Sequence, residues 1–276
     1  MSNLEEPYVL SRMSGRVLWL TLNRPEERNP LSSQMISALK ASITQANVDS
    51  EVNVIVITGS GNVFSAGHDL KEMSGRKPND PLTREQRVNE VLTSCANMMM
   101  SLVKSPKAII ACVQATATAA GCQLVSMCDL AIASENAKFC TPGVNIGTFC
   151  STPLVGIGRN IHRKHAMELA LTGDLFSAAD AVRFGLINKA VPMDFLIEET
   201  EKLAQKVASK SATGIRAGKE AFYQQLEMPI ESAFVHAGAS MLEAMISDEC
   251  EEGICAFFGK REPVWTNVNS IDFKSI

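Results

Sequence analysis

Two segments of this chain could do chemistry: NVFSAGHDLKEM, beginning at Asn62, and ATATAAGCQLVSMCDLAIAS, beginning at Ala115. Each sets a turn of small residues between an apolar strand and a helix. Such a turn exposes backbone N–H groups instead of burying them. Two of them brought together form an oxyanion hole, a pair of donors aimed at a carbonyl oxygen that gains negative charge. A carboxylate would be the obvious acid–base partner for such a hole, and here the second segment offers Gln123. An amide holds a water molecule by hydrogen bonding but takes no proton from it at neutral pH.

The elements that position these turns follow from the hydropathy pattern. Strands are expected at Tyr8 to Ser11 and Arg16 to Leu22, the second ended by Pro25. The β-branched run Val52 to Thr58 reads as a strand buried on both faces, as does Ala108 to Gln114. Another strand is expected from Asp129 to Ser134. Between them, helices are expected from Ser32 to about Asn47, from Thr83 to Val103 and from Ala120 to Met127. Pro78, Asn79, Asp80 and Pro81 mark an exposed loop. Met98, Met99 and Met100 could floor an acyl pocket, with core packing as the rival reading. Alternating strand, turn and helix predict an α/β chain with parallel pairing. From Asp194 the pattern changes to four amphipathic helices: Asp194–Ser209, Thr213–Leu226, Ile230–Ile246 and Asp248–Gly259. The division expected is a core over 1–200 and a helical region over 201–276.

Composition narrows the function classes. Of 276 residues, 46% are hydrophobic and 20% charged, enough for a large core. A net charge of −4 argues against nucleic acid as a partner. Most of the eight cysteines, among them Cys95, Cys112, Cys122 and Cys128, lie in apolar runs and read as reduced core residues. No CxxC occurs, and His162 and His165 lack companion ligands, so no metal is expected. The N-terminal segment has no apolar signal core, and no apolar run reaches the roughly 18–20 residues of a membrane span. A cytoplasmic protein is expected, or a mitochondrial one if a transit peptide has been removed.

In order and spacing, several segments together resemble the crotonase superfamily of enoyl-CoA hydratases and isomerases. They are LNRPEERNPLS, FSAGHDLKEM, AAGCQL, MCDLAIAS, TPGVNIGTFCSTP, LTGDLFSAADAVRFGLINKAVP and the terminal FFGKREPVW. The resemblance implies a spiral of ββα turns forming two roughly perpendicular sheets, with a C-terminal helical region that assembles protomers into a homotrimer or a hexamer built of two trimers. It implies an acyl-CoA or enoyl-CoA thioester as substrate, with coenzyme A part of that substrate and no separate cofactor.

Residue by residue, the resemblance makes the N–H of His68 the first oxyanion donor and that of Ala120 the second. It sets Ala66 against the adenine, Lys71 near the CoA moiety and Arg24 in the segment approaching the diphosphate. Phe257 and Lys260 match positions that reach CoA, commonly from a neighbouring subunit. The two carboxylates of the hydratases fall on Gln123 and Gly143, and a third position, acidic in dienoyl isomerases, falls on Ser151. The expected function is therefore hydratase/isomerase-type chemistry on acyl-CoA thioesters, in fatty-acid metabolism, with an altered acid–base apparatus. The rivals are a non-catalytic acyl-CoA binder and a thioester hydrolase using Cys150 or His68. Asp69 is expected to play a structural part, and Cys140 and Cys150 to be buried thiols or, if acidified by a helix N-terminus, reactive ones.

Overall fold

The computed structural model describes residues 6–74 and 81–265. The expected loop residues Pro78, Asn79 and Asp80 lie outside them.

A six-stranded sheet carries the core. Its strands are β1 (Val9–Ser14), β2 (Val17–Leu22), β3 (Val54–Gly59), β5 (Ala108–Val113), β7 (Leu130–Ser134) and β10 (Lys189–Val191), in that spatial order. Only the β1–β2 hairpin is antiparallel; the other pairs are parallel. The unbroken β-branched run of β3 has a clear physical reason. Ile55 and Ile57 pack into one apolar cluster with Met35, Leu39, Met98 and Leu102, whereas Val54 and Val56 pack into another with Leu196, Ala204 and Ala208. The sheet is thus covered on both faces, which parallel strands require.

The first face is covered by α1 (Ser33–Val48) and α3 (Arg84–Val103). Ser32 caps α1 through a bond from the Met35 N–H. Thr83 and Gln86 close a capping box on α3. The second face is covered by α8 (Met193–Ala208). This helix straddles residue 200 and buries Leu196, Thr200, Ala204 and Ala208. The core therefore extends through Ala208, and the helices beyond the core begin with α9 (Ala212–Gln225), α10 (Ile230–Met245) and α11 (Asp248–Phe258). A division at 200 would cut α8 in half.

A second sheet, of four strands, positions the site. Its order is β4 (Val63–Ser65), β6 (Thr116–Thr118), β8 (Lys138–Cys140) and β9 (Phe176–Ser177). Each of β3, β5 and β7 runs into the next strand of this small sheet and then into helix, giving the expected ββα repeat. After β4 come α2 (Leu70–Met73) and α3; after β6 comes α4 (Ala120–Met127); after β8 come α5 (Pro153–Asn160) and α6 (Arg163–Thr172). A short helix α7 (Ala178–Phe184) links β9 to β10. Because β4, β6 and β8 pair in parallel, their carboxyl ends, and the turns that leave them, lie side by side. Among the described residues, no helix is long and apolar enough to cross a membrane.

Candidate active site

The first small-residue turn leaves β4 at Ser65, and the second leaves β6 at Thr118. Gly67 has φ +85° and Ala119 has φ +49°, so each turn reverses the chain one residue before its expected donor, His68 or Ala120. Left-handed backbone costs a non-glycine residue roughly 1–2 kcal/mol, so the conformation at Ala119 is held by its surroundings. One constraint is the bond from the Ala119 N–H to the Cys140 carbonyl, 2.9 Å. Among the described residues, neither the His68 nor the Ala120 N–H has a hydrogen-bond acceptor. Ala120 is the first residue of α4, where an N–H has no partner inside its own helix.

The two turns touch. A Cβ placed on Gly67 would lie 2.9 Å from the Ala119 Cβ, 3.0 Å from the Thr118 carbonyl oxygen and 3.1 Å from the Ala120 nitrogen. Across the same seam, the Thr118 hydroxyl donates to the Ala66 carbonyl at 2.9 Å. Gly121 stands so close to Ser65 that a Cβ there would lie 2.5 Å from its carbonyl oxygen.

The first turn is also gripped from behind by residues 28–33. The Ala66 N–H donates to the Arg28 carbonyl and the Leu31 N–H to the Gly67 carbonyl, at 2.9 and 2.7 Å. The Ser65 hydroxyl bonds the Asn29 carbonyl at 2.8 Å. Asp69 accepts from the N–H groups of Lys71 and Glu72 as the cap of α2, the structural part expected of it. Glu72 was not singled out in the sequence. It is a buried carboxylate that accepts from the Ser33 N–H at 2.9 Å and the Ser33 hydroxyl at 2.6 Å, with Arg87 at 4.0 Å. It ties α2, which follows the turn, to the first residue of α1. A glutamate three residues beyond a capping Asp is the only sequence signal for it, and that signal usually marks an exposed first turn.

The positions that the resemblance matches to the hydratase carboxylates hold none. Gln123 sits one turn along α4 from Ala120 and is only 5% exposed; its carbonyl oxygen Oε1 is buried and has no hydrogen-bond partner among the described residues. At Gly143 the direction a side chain would take is closed. A Cβ there would stand 2.9 Å from the Cys150 Sγ and 3.0 Å from the Cys150 nitrogen. Ser151 is exposed. His68 has a buried Nε2 with no partner among the described residues, and burial pushes its pKa below the ordinary value, so its imidazole is neutral at pH 7.

The thiols point away from nucleophilic chemistry. Six of the eight cysteines are buried and all are free. Burial pushes Cys140 up to about 11 and Cys150 upward as well, the latter partly offset by a hydrogen bond from the Gly143 backbone. Desolvation is the largest influence on both thiols.

Among the residues matched to CoA positions, Ala66 is half-buried on the first turn and Lys71 is exposed on α2. The Arg24 guanidinium is engaged with the N-terminal segment: it donates to the carbonyls of Glu6, Pro7 and Asn23 and lies 3.6 Å from the Tyr8 ring centroid. Phe257 is 79% exposed on α11, and Lys260 just beyond it is exposed. The methionines divide: Met98 and Met99 belong to the core, while Met100 lines a cavity with Val103, Tyr223 and Arg216.

Residues 12–268 match the family described as enoyl-CoA hydratase/isomerase. Enoyl-CoA hydratase domain-containing protein 3, mitochondrial, of Rattus norvegicus is 42% identical over 263 residues, 95% of this chain and 86% of the rat protein. Its Homo sapiens counterpart is 40% identical over 248 residues, 90% of this chain and 80% of the human protein. The crystal structure of human enoyl coenzyme A hydratase domain-containing protein 3 superposes with a TM-score of 0.89 at 39% identity, covering 94% of this chain and 100% of that one. That of an enoyl-CoA hydratase of Mycobacterium smegmatis gives a TM-score of 0.89 at 41% identity, covering 94% and 99%. With the paired turns, the ββα repeat and these matches in hand, the chain belongs to the enoyl-CoA hydratase/isomerase family of the crotonase superfamily, in the branch of enoyl-CoA hydratase domain-containing protein 3, and has the crotonase fold.

Proposed function

We propose that the protein binds acyl-CoA thioesters and polarises the thioester carbonyl between the N–H groups of His68 and Ala120, as an altered member of the hydratase/isomerase class acting in fatty-acid metabolism. The observation that carries this reading is the contact between the turns, where Gly67 meets Ala119 and Ala120. It sets two unpaired donors side by side, and each donor in such a pair is typically worth about 10²–10³ in rate. Enolate chemistry at C2 of the acyl group follows naturally from that hole.

Hydration needs more: a group to take a proton from water and one to deliver it, each contributing about 10²–10⁴-fold. Gln123 and Gly143 supply neither, and a neutral His68 has no proton in excess to deliver as the acid. Hydratase turnover by this chain is accordingly slow. The non-catalytic binder remains the second reading, favoured by Cys150 standing where a side chain at Gly143 would project. Thioester hydrolysis through Cys150 is disfavoured by its raised pKa.

The CoA moiety is assigned to Ala66 and Lys71 on the first turn and α2. For Arg24 to reach the diphosphate it would have to leave the carbonyls that it now serves. Phe257 and Lys260 are assigned to the CoA of a neighbouring subunit in a homotrimer or a dimer of trimers. Large exposed side chains on α9–α11, including Phe222, Phe234, Val235, Leu242 and Phe257, support such packing, since a face of that size needs cover. Mitochondrial residence is proposed from the names of the relatives.

The test is direct. The purified protein is mixed with trans-2-enoyl-CoAs of short, medium and long chain, and the conjugated thioester absorbance is followed. In parallel, acetoacetyl-CoA, whose enolate mimics the charged intermediate, is titrated against CoA alone. Preference for acetoacetyl-CoA by tenfold or more supports the hole; equal affinity for the two ligands refutes it.

A further inference from the structure

The end of the large sheet remote from the paired turns holds a cavity of its own. Arg16, Asn53 and Lys107 each stand one residue before a strand, β2, β3 and β5, and these strands run parallel. The six residues of β5 put about 20 Å between Lys107 and the end that leads through β6 to the Ala120 donor. A cavity of about 70 Å³ lies here, its lining including Asn47 of α1, Asn53, Lys107, and Thr213 and Arg216 of α9.

This lining is rich in donors and poor in acceptors. Lys107 is only 8% exposed, and its ammonium gives one proton to the Asp49 carbonyl at 3.1 Å. The other two have no acceptor among the described residues. The half-buried Arg216 guanidinium has neither a hydrogen bond nor an ion pair among the described residues. The Asn47 amide oxygen accepts from the Ser105 hydroxyl at 2.7 Å, so its NH₂ is the group left over. The Asn53 oxygen accepts from Arg16 at 3.3 Å. Both amide oxygens that line the cavity are therefore taken. Burial lowers the Lys107 pKa; the Asp49 carboxylate raises it, and the Arg16 and Arg216 guanidinium groups lower it again. Two cations thus oppose the ammonium against one carboxylate that supports it, an imbalance that a bound anion corrects. A water needs only about 10–15 Å³ of such space, so 70 Å³ admits a tetrahedral oxyanion.

We propose that Lys107 and Arg216 form a binding site for a phosphoryl group, free or carried as a monoester, remote from the thioester site. The planar fork of a guanidinium matches two phosphate oxygens, and the ammonium adds a point charge beside it. Donors supplied from α1, from the segment before β5 and from α9 suit a tetrahedral anion better than a planar carboxylate. The bound group bridges Lys107 in the core to Arg216 on the first helix beyond it, and so ties the helical region to the sheet. A monoester has room too: a neighbouring cavity of about 470 Å³ shares Pro106 and Arg216 with this one and is lined by Met100, Val103 and Tyr223.

The experiment titrates inorganic phosphate, and phenyl phosphate in parallel, into the whole protein at constant ionic strength in chloride, followed by phosphorus NMR. Phosphate is expected to bind, with Kd raised about tenfold or more in Arg216→Gln and in Lys107→Met. Arg216 makes no hydrogen bond in the fold, so its variant stays folded even if Lys107→Met does not. Lys104→Gln is the control for net charge. That lysine is exposed and lines the larger cavity alone, so its loss should leave Kd within about twofold. Tighter binding of phenyl phosphate than of phosphate assigns the site to a monoester; equal or weaker binding assigns it to the free anion. Failure of both to bind overturns the proposal. So does binding that Arg216→Gln leaves unchanged, or that Lys104→Gln weakens as much.

Discussion

Gly67→Ala tests whether the hole is made by the contact of two turns. The glycine has φ +85°, and a methyl group there would stand 2.9 Å from the Ala119 Cβ and 3.1 Å from the Ala120 nitrogen. Two costs add: roughly 1–2 kcal/mol for left-handed backbone and about 1–3 kcal/mol for overpacking. Gly147 supplies the matched control. It has φ +78°, but a Cβ there meets nothing within 4 Å, so Gly147→Ala carries the first cost alone. The difference between the variants, about 1–3 kcal/mol, isolates the contact. It is read by urea unfolding, or as about 2–4 °C in Tm for each kcal/mol. The methyl group also pushes the His68 and Ala120 donors apart. Affinity for acetoacetyl-CoA is expected to fall by tenfold or more in Gly67→Ala while CoA affinity changes little. If Gly67→Ala unfolds like Gly147→Ala and keeps its affinity for acetoacetyl-CoA, the two donors do not work as a pair.

Glu72→Gln keeps the size of the side chain but weakens its grip on Ser33 and Arg87; about 2–4 kcal/mol of stability should be lost, and equilibrium unfolding measures it. Lys219, half-buried on α9, donates to Asp129 at 2.7 Å and to the carbonyls of Leu102 and Lys107; Lys219→Met removes that countercharge but leaves Asp129 the Ile109 N–H and the Tyr223 hydroxyl, and should cost about 1–3 kcal/mol, again read by equilibrium unfolding. Because burial lowers the His68 pKa, the unfolded chain binds the extra proton first: stability is full above the ordinary value of 6.5 and declines as pH falls below it, by at most about 1.4 kcal/mol per pH unit. His68→Gln should flatten that part of the stability–pH profile, and an unchanged profile would sink the assignment. Alkylation with iodoacetamide at pH 7.5 should label the exposed Cys255 well before Cys140 or Cys150, whose thiols burial pushes up; early labelling of Cys150, followed by mass spectrometry, would reopen thioester hydrolysis.

The long elements were legible in the sequence because periodicity and capping both mark them. Helix α4 has the expected bounds, and α1, α3 and α8–α11 fall within a residue or so of theirs. The small sheet was not located. Its strands are two or three residues long, too short for an alternating pattern to register, and they are held by pairing with their neighbours rather than by propensity. The turns were visible through Gly67 and the alanine-rich run at 117–120, but their contact was not, since nothing in either segment encodes its neighbour. Arg24 and Glu72 show the same limit from opposite sides. An arginine in the right segment spends its guanidinium on nearby carbonyls, and a carboxylate that looks solvated on a short helix anchors the site.

That contact also changes what survival of the hole means. The His68 and Ala120 donors are backbone groups at the ends of adjacent parallel strands, fixed by Gly67, by the Ala119–Cys140 bond and by the grip of residues 28–33. Dismantling them would mean dismantling the fold. A chain that had lost every catalytic need would still carry the hole, so its survival alone is no evidence of turnover. Side chains are under no such constraint. Gln123, buried with an unmet acceptor, is costly to keep unless something meets it, and a hydrophobic residue there would pack without that penalty. The amide, rather than the hole, is therefore the feature of this site that speaks for a ligand of its own. The two are separable by experiment: Gln123→Leu should leave acetoacetyl-CoA bound through the hole. Loss of acetoacetyl-CoA binding in that variant, with the fold intact, would show that hole and amide act as one unit and that the separation drawn here is wrong.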